Sequence, residues 1–337
     1  MLTPEQANTK QNIMKAIVCK SFGPPSSLSL EEISPLQPKE KQVLVEVKAC
    51  GVNFPDTLII QGLYQFKPEL PFTPGSDIAG IVKAVGEGIK HVKPGDEVFG
   101  FVMNGGFAEE VVVDGKACFP KPPNMDFPIA ASFMMAYGTS FHALKDRGRL
   151  KEGETLLVLG ASGGVGLAAV ELGKLMGAKV IAAASTDEKL ALCKEYGADE
   201  TINYTSEDLK NRVKELTDGK GADVVYDPVG GKYSEPALRA TAWKGRFLVV
   251  GFAAGDIPKI PLNLPLLKGC AITGVFWGNF AMNEPQKNFG NTMQLMQWYA
   301  EEKLKPHIHA VYPLAEAPQA LEEMMNRKVR GKIVIGI

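Results

Sequence analysis

The sequence has almost no net charge, few cysteines and no long apolar run. Lys+Arg 37 against Asp+Glu 38 leaves a formal charge of −1, so no global field draws in DNA, RNA or an anionic membrane. Neither a nucleic acid nor a membrane is expected as a partner. The five cysteines, at positions 19, 50, 118, 193 and 270, are odd in number and widely spaced. That is neither a disulfide framework nor a zinc knuckle, and it fits a reducing cytoplasm. Apolar runs such as 155–160 are far too short to span a bilayer, and contents of 45% hydrophobic and 22% charged residues are ordinary for a soluble globular chain. The polar stretch before Met14 lacks the apolar segment of a secretory signal, and residues 1–13 are expected to form a disordered lead-in.

What is present is punctuation by glycine and a change of period. The 337 residues predict about two domains at roughly 150 residues each. Through the first 125 positions, short apolar runs at 14–18, 43–47, 78–85, 97–102 and 107–113 alternate with glycine and proline turns, which predicts a β-rich barrel or sandwich. From about Tyr137 the pattern becomes alternating: strands at 156–159, 179–183, 200–203, 223–226, 247–250 and 271–275, with helices at 165–176, 187–196, 206–216 and 233–240. Six such strands with interleaved helices predict a parallel, doubly wound Rossmann sheet. A helix near 291–302 and a segment over 311–337, ending on a strand at 332–335, follow; this tail is assigned back to the first domain.

The chemistry is densest at Gly160-Ala161-Ser162-Gly163-Gly164-Val165-Gly166, where a buried strand runs through a glycine turn into a helix. Gly163 and Gly164 let backbone approach a pyrophosphate, the first amides of the helix face its charge, and Gly166 lets helix and strand pack closely. Ala161 occupies the first glycine position of the motif. At the end of the second strand an NAD enzyme places an acid for the ribose 2′-hydroxyl. Here the chain reads Ala182-Ala183-Ala184-Ser185-Thr186, and Lys189 lies one helical turn further on. A hydroxyl and an ammonium suit a 2′-phosphate, so NADP(H) is favoured. The alternative is that Asp187 or Glu188 turns back to the ribose and Lys189 is a solvated helix lysine.

The chain resembles the medium-chain dehydrogenase/reductase superfamily, and within it the zinc-independent NADPH:quinone oxidoreductases that include zeta-crystallin. The resemblance covers nearly everything from Met14 and is carried by Gly51-Val-Asn53-Phe-Pro-Asp56, Gly62-Leu-Tyr64, Pro74-Gly-Ser-Asp-Ile-Ala-Gly80, Val85-Gly-Glu-Gly88, Gly95-Asp96, Gly105-Gly-Phe-Ala108, the glycine turn, Asp227-Pro-Val-Gly230 and Arg330-Gly-Lys-Ile333. It implies an α/β chain: a GroES-like β-rich catalytic domain over 14–138 and 280–337, and a Rossmann NADP-binding domain over 139–279. It also implies a homodimer joined through the edge strand 271–275.

Departures from the zinc-dependent relatives decide the expected chemistry. Asn53 stands where they carry a cysteine ligand and Ser76-Asp77 where they carry His-Glu, and the four-cysteine lobe is missing between Cys50 and Cys118. No metal is expected. Cys50 reads as a buried structural thiol, His142 as a helix-surface residue, and the pair His307 and His309 as surface residues. By resemblance Asn53 sits near the nicotinamide ribose and substrate oxygen, Asp56 orients that region or caps a turn, and Tyr64 lines the substrate pocket. Thr139 bonds the nicotinamide amide, Tyr204 lies against the adenosine phosphate end, and Ser162, Gly163, Gly164, Val165, Ser185, Lys189, Val229, Phe252, Phe276 and Lys332 complete the cofactor site. Trp277 belongs either to that strand-end site or to a dimer core. Leu58 and Ile60 replace a tyrosine and a basic residue, which predicts a more apolar pocket. The expected activity is reduction of a quinone or other α,β-unsaturated carbonyl, with Tyr64 or water giving the proton. The alternatives are an alcohol dehydrogenase of the same fold and an NADPH-binding protein with an RNA-binding or crystallin-type role.

Overall fold

The computed structural model describes residues 13–337, so the expected lead-in lies, apart from Ile13, outside the described residues. The chain divides into two compact units. One holds the residues up to Lys121 with Val311–Asn326 and Val334–Ile337, and the other holds Pro122–Ala310 with Arg327–Ile333.

In the first unit β1 (Met14–Val18) pairs antiparallel with β2 (Ser29–Ile33). Next come β3 (Gln42–Val52), β4 (Asp77–Val85), β5 (Glu97–Phe101), β6 (Glu110–Asp114) and β7 (Cys118–Pro120). β3 is the hub, pairing antiparallel with β4 on one edge and with β6 on the other. Val43, Val45 and Val47 are buried along it, and a fully buried valine contributes on the order of 2 kcal/mol. The β3–β4 register sets Gly51 opposite Asp77, so the loop that carries Asn53 leaves β3 beside the start of β4. Ile60, expected to line a pocket, is instead fully buried in this unit's core, while Leu58 is half-buried.

The second unit is built on β8 (Thr155–Leu159), β9 (Lys179–Ala184), β10 (Glu200–Asn203), β11 (Ala222–Asp227), β12 (Thr241–Val249) and β13 (Ala271–Gly274). These pair in parallel in the order β10-β9-β8-β11-β12-β13. The order reverses between β8 and β11, and ligands of open α/β sheets bind outside the carboxyl ends of strands at such a switch point. β14 (Ile308–Pro313) and β15 (Lys332–Gly336) join the sheet of β3, in the order β14-β15-β3-β4-β5-β7.

The units part at Lys121/Pro122, Ala310/Val311, Asn326/Arg327 and Ile333/Val334, and the expected boundaries 138/139 and 279/280 both fall within the second unit. The reason is a helical run over 127–147 that packs on the helices Trp277–Asn283 and Pro285–Ala300. Phe141 meets Trp298 edge-on at 5.2 Å, His142 stacks on Phe280 at 3.8 Å, and Lys145 donates to Asn291 at 2.7 Å. His142 is therefore buried, not a surface residue, with Nδ1 2.8 Å from Asp146. Among the described residues no helix is long and apolar enough to cross a membrane.

Candidate functional site

The glycine turn follows β8, whose five residues are all buried. Gly160 takes φ 56°, a conformation costly for any side chain, and Gly163 is the N-cap of the helix Gly164–Leu175. A Cβ on Gly166 would lie 2.2 Å from the Gly160 carbonyl oxygen, so only glycine permits this approach. The first amides of a helix have no intrahelical acceptor, and together with the helix dipole they favour an anion. The aliphatic stem of Lys332 covers the turn, its Cδ 2.8 Å from the position a Gly164 Cβ would take. The Gly331 N–H donates to the Ser162 carbonyl at 2.7 Å, and the Lys332 N–H to that of His307 at 2.9 Å. The structure thus brings Ser162, Gly163, Gly164, Val165 and Lys332 into one cradle.

At the end of β9, Lys189 Nζ donates to Ser185 Oγ at 3.3 Å and to the Arg327 carbonyl at 2.8 Å. Burial, and then the charges of Arg327 and Arg330, push its ammonium pKa below the ordinary lysine range. Lys189 therefore meets the Ser185 hydroxyl directly, and the charges of Arg327 and Arg330 act on its ammonium. Asp187, the acid that could have claimed a ribose, accepts instead from the Asn203 amide at 2.8 Å. Arg327 was not singled out from sequence, and Arg330 entered only as part of the Arg330-Gly-Lys-Ile333 motif, with no cofactor role assigned. The only signal was the basic stretch before Gly331, far along the chain from Lys189.

Tyr204 lies on the Tyr233 ring at 4.2 Å, and burial above all pushes its phenol up to about 12. Arg327 also donates to the Ala254 carbonyl at 2.9 Å, which links it to the loop carrying Phe252. The buried Asp227 holds the neighbouring turn: Oδ1 accepts from the Val229 and Gly230 amides at 2.9 Å, and Oδ2 from the Ser234 hydroxyl at 2.6 Å. Burial raises its carboxyl pKa against those three bonds. Val229 packs against Gly160 at the start of the glycine turn, and Phe252 packs against Gly230. Thr139 is buried at the start of a short helix, with Oγ1 4.0 Å from Met135 Sδ. Phe276 is exposed at the N-cap of the helix Trp277–Asn283. Trp277 is interior to its own unit, packed on Gly138 and donating to Asn288 at 3.0 Å.

The first unit holds a separate polar group. Asn53 and Asp56 form a capping box at the helix Phe54–Ile59, the Asp56 carboxylate accepting the Asn53 N–H at 2.8 Å. The Asn53 amide donates to Asp77 at 3.2 Å and reaches Ser76 at 3.5 Å. All four residues are buried. Asp56 is therefore a helix cap as well as a candidate for the chemistry. Tyr64 is half-buried, and burial, then the Asp56 charge, raises its phenol pKa. The positions expected to lack zinc ligands hold the Asn53 amide, the Ser76 hydroxyl and the Asp77 carboxylate; of these only the carboxylate is a usual zinc donor, and it accepts from Asn53. Among the described residues no group of three or more His, Cys, Asp or Glu could hold a metal ion. Cys50 is buried, and His307 is half-buried against the Tyr196 ring.

Residues 39–123 match the alcohol dehydrogenase GroES-like domain, and residues 164–298 match the zinc-binding dehydrogenase family. A quinone oxidoreductase-like protein 2 homolog of Nematostella vectensis is 40% identical over 336 residues, 99% of this chain and 92% of that protein. The quinone oxidoreductase of Rattus norvegicus is 36% identical over 331 residues, 97% of this chain and 99% of that one. The chain belongs to the zinc-independent, quinone oxidoreductase-like branch of the medium-chain dehydrogenases/reductases. Its architecture of a GroES-like domain plus a Rossmann domain is that of the family. The crystal structure of Escherichia coli quinone oxidoreductase complexed with NADPH matches it with a TM-score of 0.90 at 31% identity, covering 96% of this chain and 100% of that one.

Proposed function

We propose that the protein is an NADPH-dependent, zinc-free reductase of quinones or other α,β-unsaturated carbonyls. The observation that carries this reading is the pairing, in one chain, of a glycine cradle flanked by Lys189, Arg327 and Arg330 with a catalytic unit that has Asn53 and Ser76 at the metal-ligand positions. The relative from Escherichia coli holds NADPH in the same fold, which supports the same cofactor here. Bound NADPH would supply a hydride, two electrons and one hydrogen nucleus, to the electron-poor carbon of the substrate.

The chain's own residues do the rest. The turn amides and Lys332 hold the pyrophosphate, Ser185 and Lys189 with the charges of Arg327 and Arg330 hold the 2′-phosphate, Tyr204 lies against the adenosine end, and Phe252 lines the ligand-binding end of the strands. Thr139, Val229 and Phe276 complete the cofactor site. Asn53, which Asp77 keeps oriented, is assigned to the substrate oxygen, with Asp56 fixing its loop. Reduction of a polarised C=C or quinone needs stabilisation of enolate or hydroquinone charge more than a Lewis acid. Tyr64 or water gives the proton; the Tyr64 phenol, whose pKa burial and then the Asp56 charge raise, carries its proton at neutral pH.

The deciding experiment follows oxidation of NADPH and NADH with 1,4-benzoquinone, 9,10-phenanthrenequinone, an enone and an enal, and reduction of NADP+ by a simple alcohol. Turnover of a quinone or enone with NADPH well above NADH is expected. Reaction with the alcohol alone, or a preference for NADH, would overturn the reading. A cytoplasmic homodimer is part of the same proposal: Ile272 on edge strand β13 and Leu262, Leu266 and Leu267 before it are exposed apolar residues. Such an edge invites pairing with a second copy, and a monomer in sedimentation equilibrium would sink that part.

A further inference from the structure

The buried Tyr137 phenol and the half-buried Glu171 carboxylate form a pair for which the cofactor contacts above have no use. Glu171 lies on the helix Gly164–Leu175, the same rigid element whose first turn makes the anion cradle. Its Oε2 accepts from the Tyr137 hydroxyl at 2.7 Å, and its Oε1 accepts from the Lys305 N–H at 2.6 Å. Both carboxylate oxygens are therefore held by donors from outside the helix. Tyr137 sits on the π-helical turn Met134–Gly138, stacked on Phe133 at 4.7 Å, and Thr139 follows directly. On the far side of Thr139 the Ser140 hydroxyl donates to the Val165 carbonyl at 2.7 Å. Thr139 is thus bracketed by two hydrogen bonds to one helix, at Val165 in its first turn and at Glu171 further along.

This bracket does more than fill space. A π-helical turn is rare and found mostly at functional sites, so this one needs support from outside its own backbone. Its supports are the Tyr137–Glu171 bond and the contact of Gly138 with the Trp277 ring. Burying a phenol and taking part of a carboxylate from water also costs free energy, whereas apolar side chains of the same volume would pack without that cost. Burial does raise the pKa of both groups, Tyr137 most of all. A directional bond between two such groups specifies position.

We infer that Tyr137, held by Glu171, is a positioning residue for the nicotinamide half of the cofactor, acting through the turn that carries Thr139. The inference rests on the dinucleotide reading above, and the test separates the two.

Binding of NADPH and of 2′,5′-ADP, which has the phosphorylated adenosine end but no nicotinamide, is measured by fluorescence titration and calorimetry. The proteins are the wild type, Tyr137→Phe, Glu171→Gln, Thr139→Ala and the double variant Tyr137→Phe/Thr139→Ala. Loss of one such bond predicts about fivefold weaker NADPH binding in Tyr137→Phe and in Glu171→Gln. Binding of 2′,5′-ADP should stay within about twofold of the wild type, an effect of a few tenths of a kcal/mol. In the Thr139→Ala background, Tyr137→Phe should add no further loss, because its effect passes through Thr139. Equal weakening of both ligands would mean general loosening, and additive losses would mean that Tyr137 acts independently of Thr139. Either result, or unchanged NADPH binding in both single variants, overturns the inference. A wild type that binds neither ligand overturns the dinucleotide reading itself. Should Tyr137→Phe fail to fold, Glu171→Gln carries the same comparison.

Discussion

Lys189 donates to the main-chain carbonyl of Arg327 at 2.8 Å although 138 residues separate them in sequence. The bond fixes the ammonium beside Ser185 and brings the basic stretch 327–330 to the end of β9. A 2′-phosphate there would meet the Ser185 hydroxyl and the Lys189 ammonium, within the field of the Arg327 and Arg330 charges.

Removing one of those charges should therefore discriminate between cofactors. A hydrogen bond to a charged group contributes about 1.5–3 kcal/mol, and each 1.4 kcal/mol is a factor of about ten. Lys189→Ala and Arg327→Ala should each raise KM for NADPH roughly ten- to a hundredfold. KM for NADH should stay within about twofold, since NADH carries no 2′-phosphate to lose that contact. Steady-state kinetics with both cofactors checks this, and equal losses would place these residues elsewhere.

The lowered pKa of Lys189 gives a pH dependence with a definite sign. Its folded-state pKa lies below the ordinary lysine value, so the ammonium is lost at a lower pH than that of a free lysine. KM for NADPH should then rise on an alkaline limb that starts below the ordinary lysine range. The limb should be absent for NADH and in Lys189→Ala. A KM profile identical for the two cofactors would contradict it.

Gly166 tolerates no side chain. A Cβ 2.2 Å from the Gly160 oxygen forces helix and strand apart, and overpacking of this kind costs about 1–3 kcal/mol. Gly166→Ala should lower the thermal midpoint by roughly 3–10 °C. It should also remove the stabilisation that NADPH gives the wild type, because the amides of the turn move with the helix. Differential scanning calorimetry with and without NADPH reads both effects.

Asp56 acts on two things at once, so its removal should show in two measurements. Loss of a helix cap costs about 1 kcal/mol, and Asp56→Ala should be less stable by about that amount in urea unfolding. The Tyr64 phenol, raised in part by the Asp56 charge, should titrate at lower pH. The ultraviolet pH titration of Asp56→Ala, with Tyr64→Phe variants subtracted to isolate one phenol, reads that shift. An unmoved phenol would separate the two residues.

The parallel sheet was legible because its strands are continuous buried runs between turn signals, and Leu156, Leu157, Val158 and Leu159 have no solvent face to confuse the period. The glycine turn was legible for the same reason, its context being set by neighbours in sequence. The helical run over 127–147 was not, because Ala131, Phe133, Met134, Ala136 and Tyr137 are buried on all sides and leave no 3.6-residue stripe. Partners distant in the chain were equally hidden. Arg327 is an exposed arginine whose main-chain carbonyl only the fold returns to Lys189, and Ile60 looks like a pocket residue until its burial in the core is seen.

The bond from Gly331 to Ser162 also has a timetable. Translation proceeds at about 5–20 residues per second, so the glycine turn leaves the ribosome on the order of ten seconds before the segment that covers it. A nascent chain can lay down its parallel strands while the cradle still lacks Gly331 and Lys332. Chains stalled or clipped before that point would keep a sheet but hold an unfinished anion site, so retention on an immobilised 2′,5′-ADP matrix would distinguish finished molecules from interrupted ones.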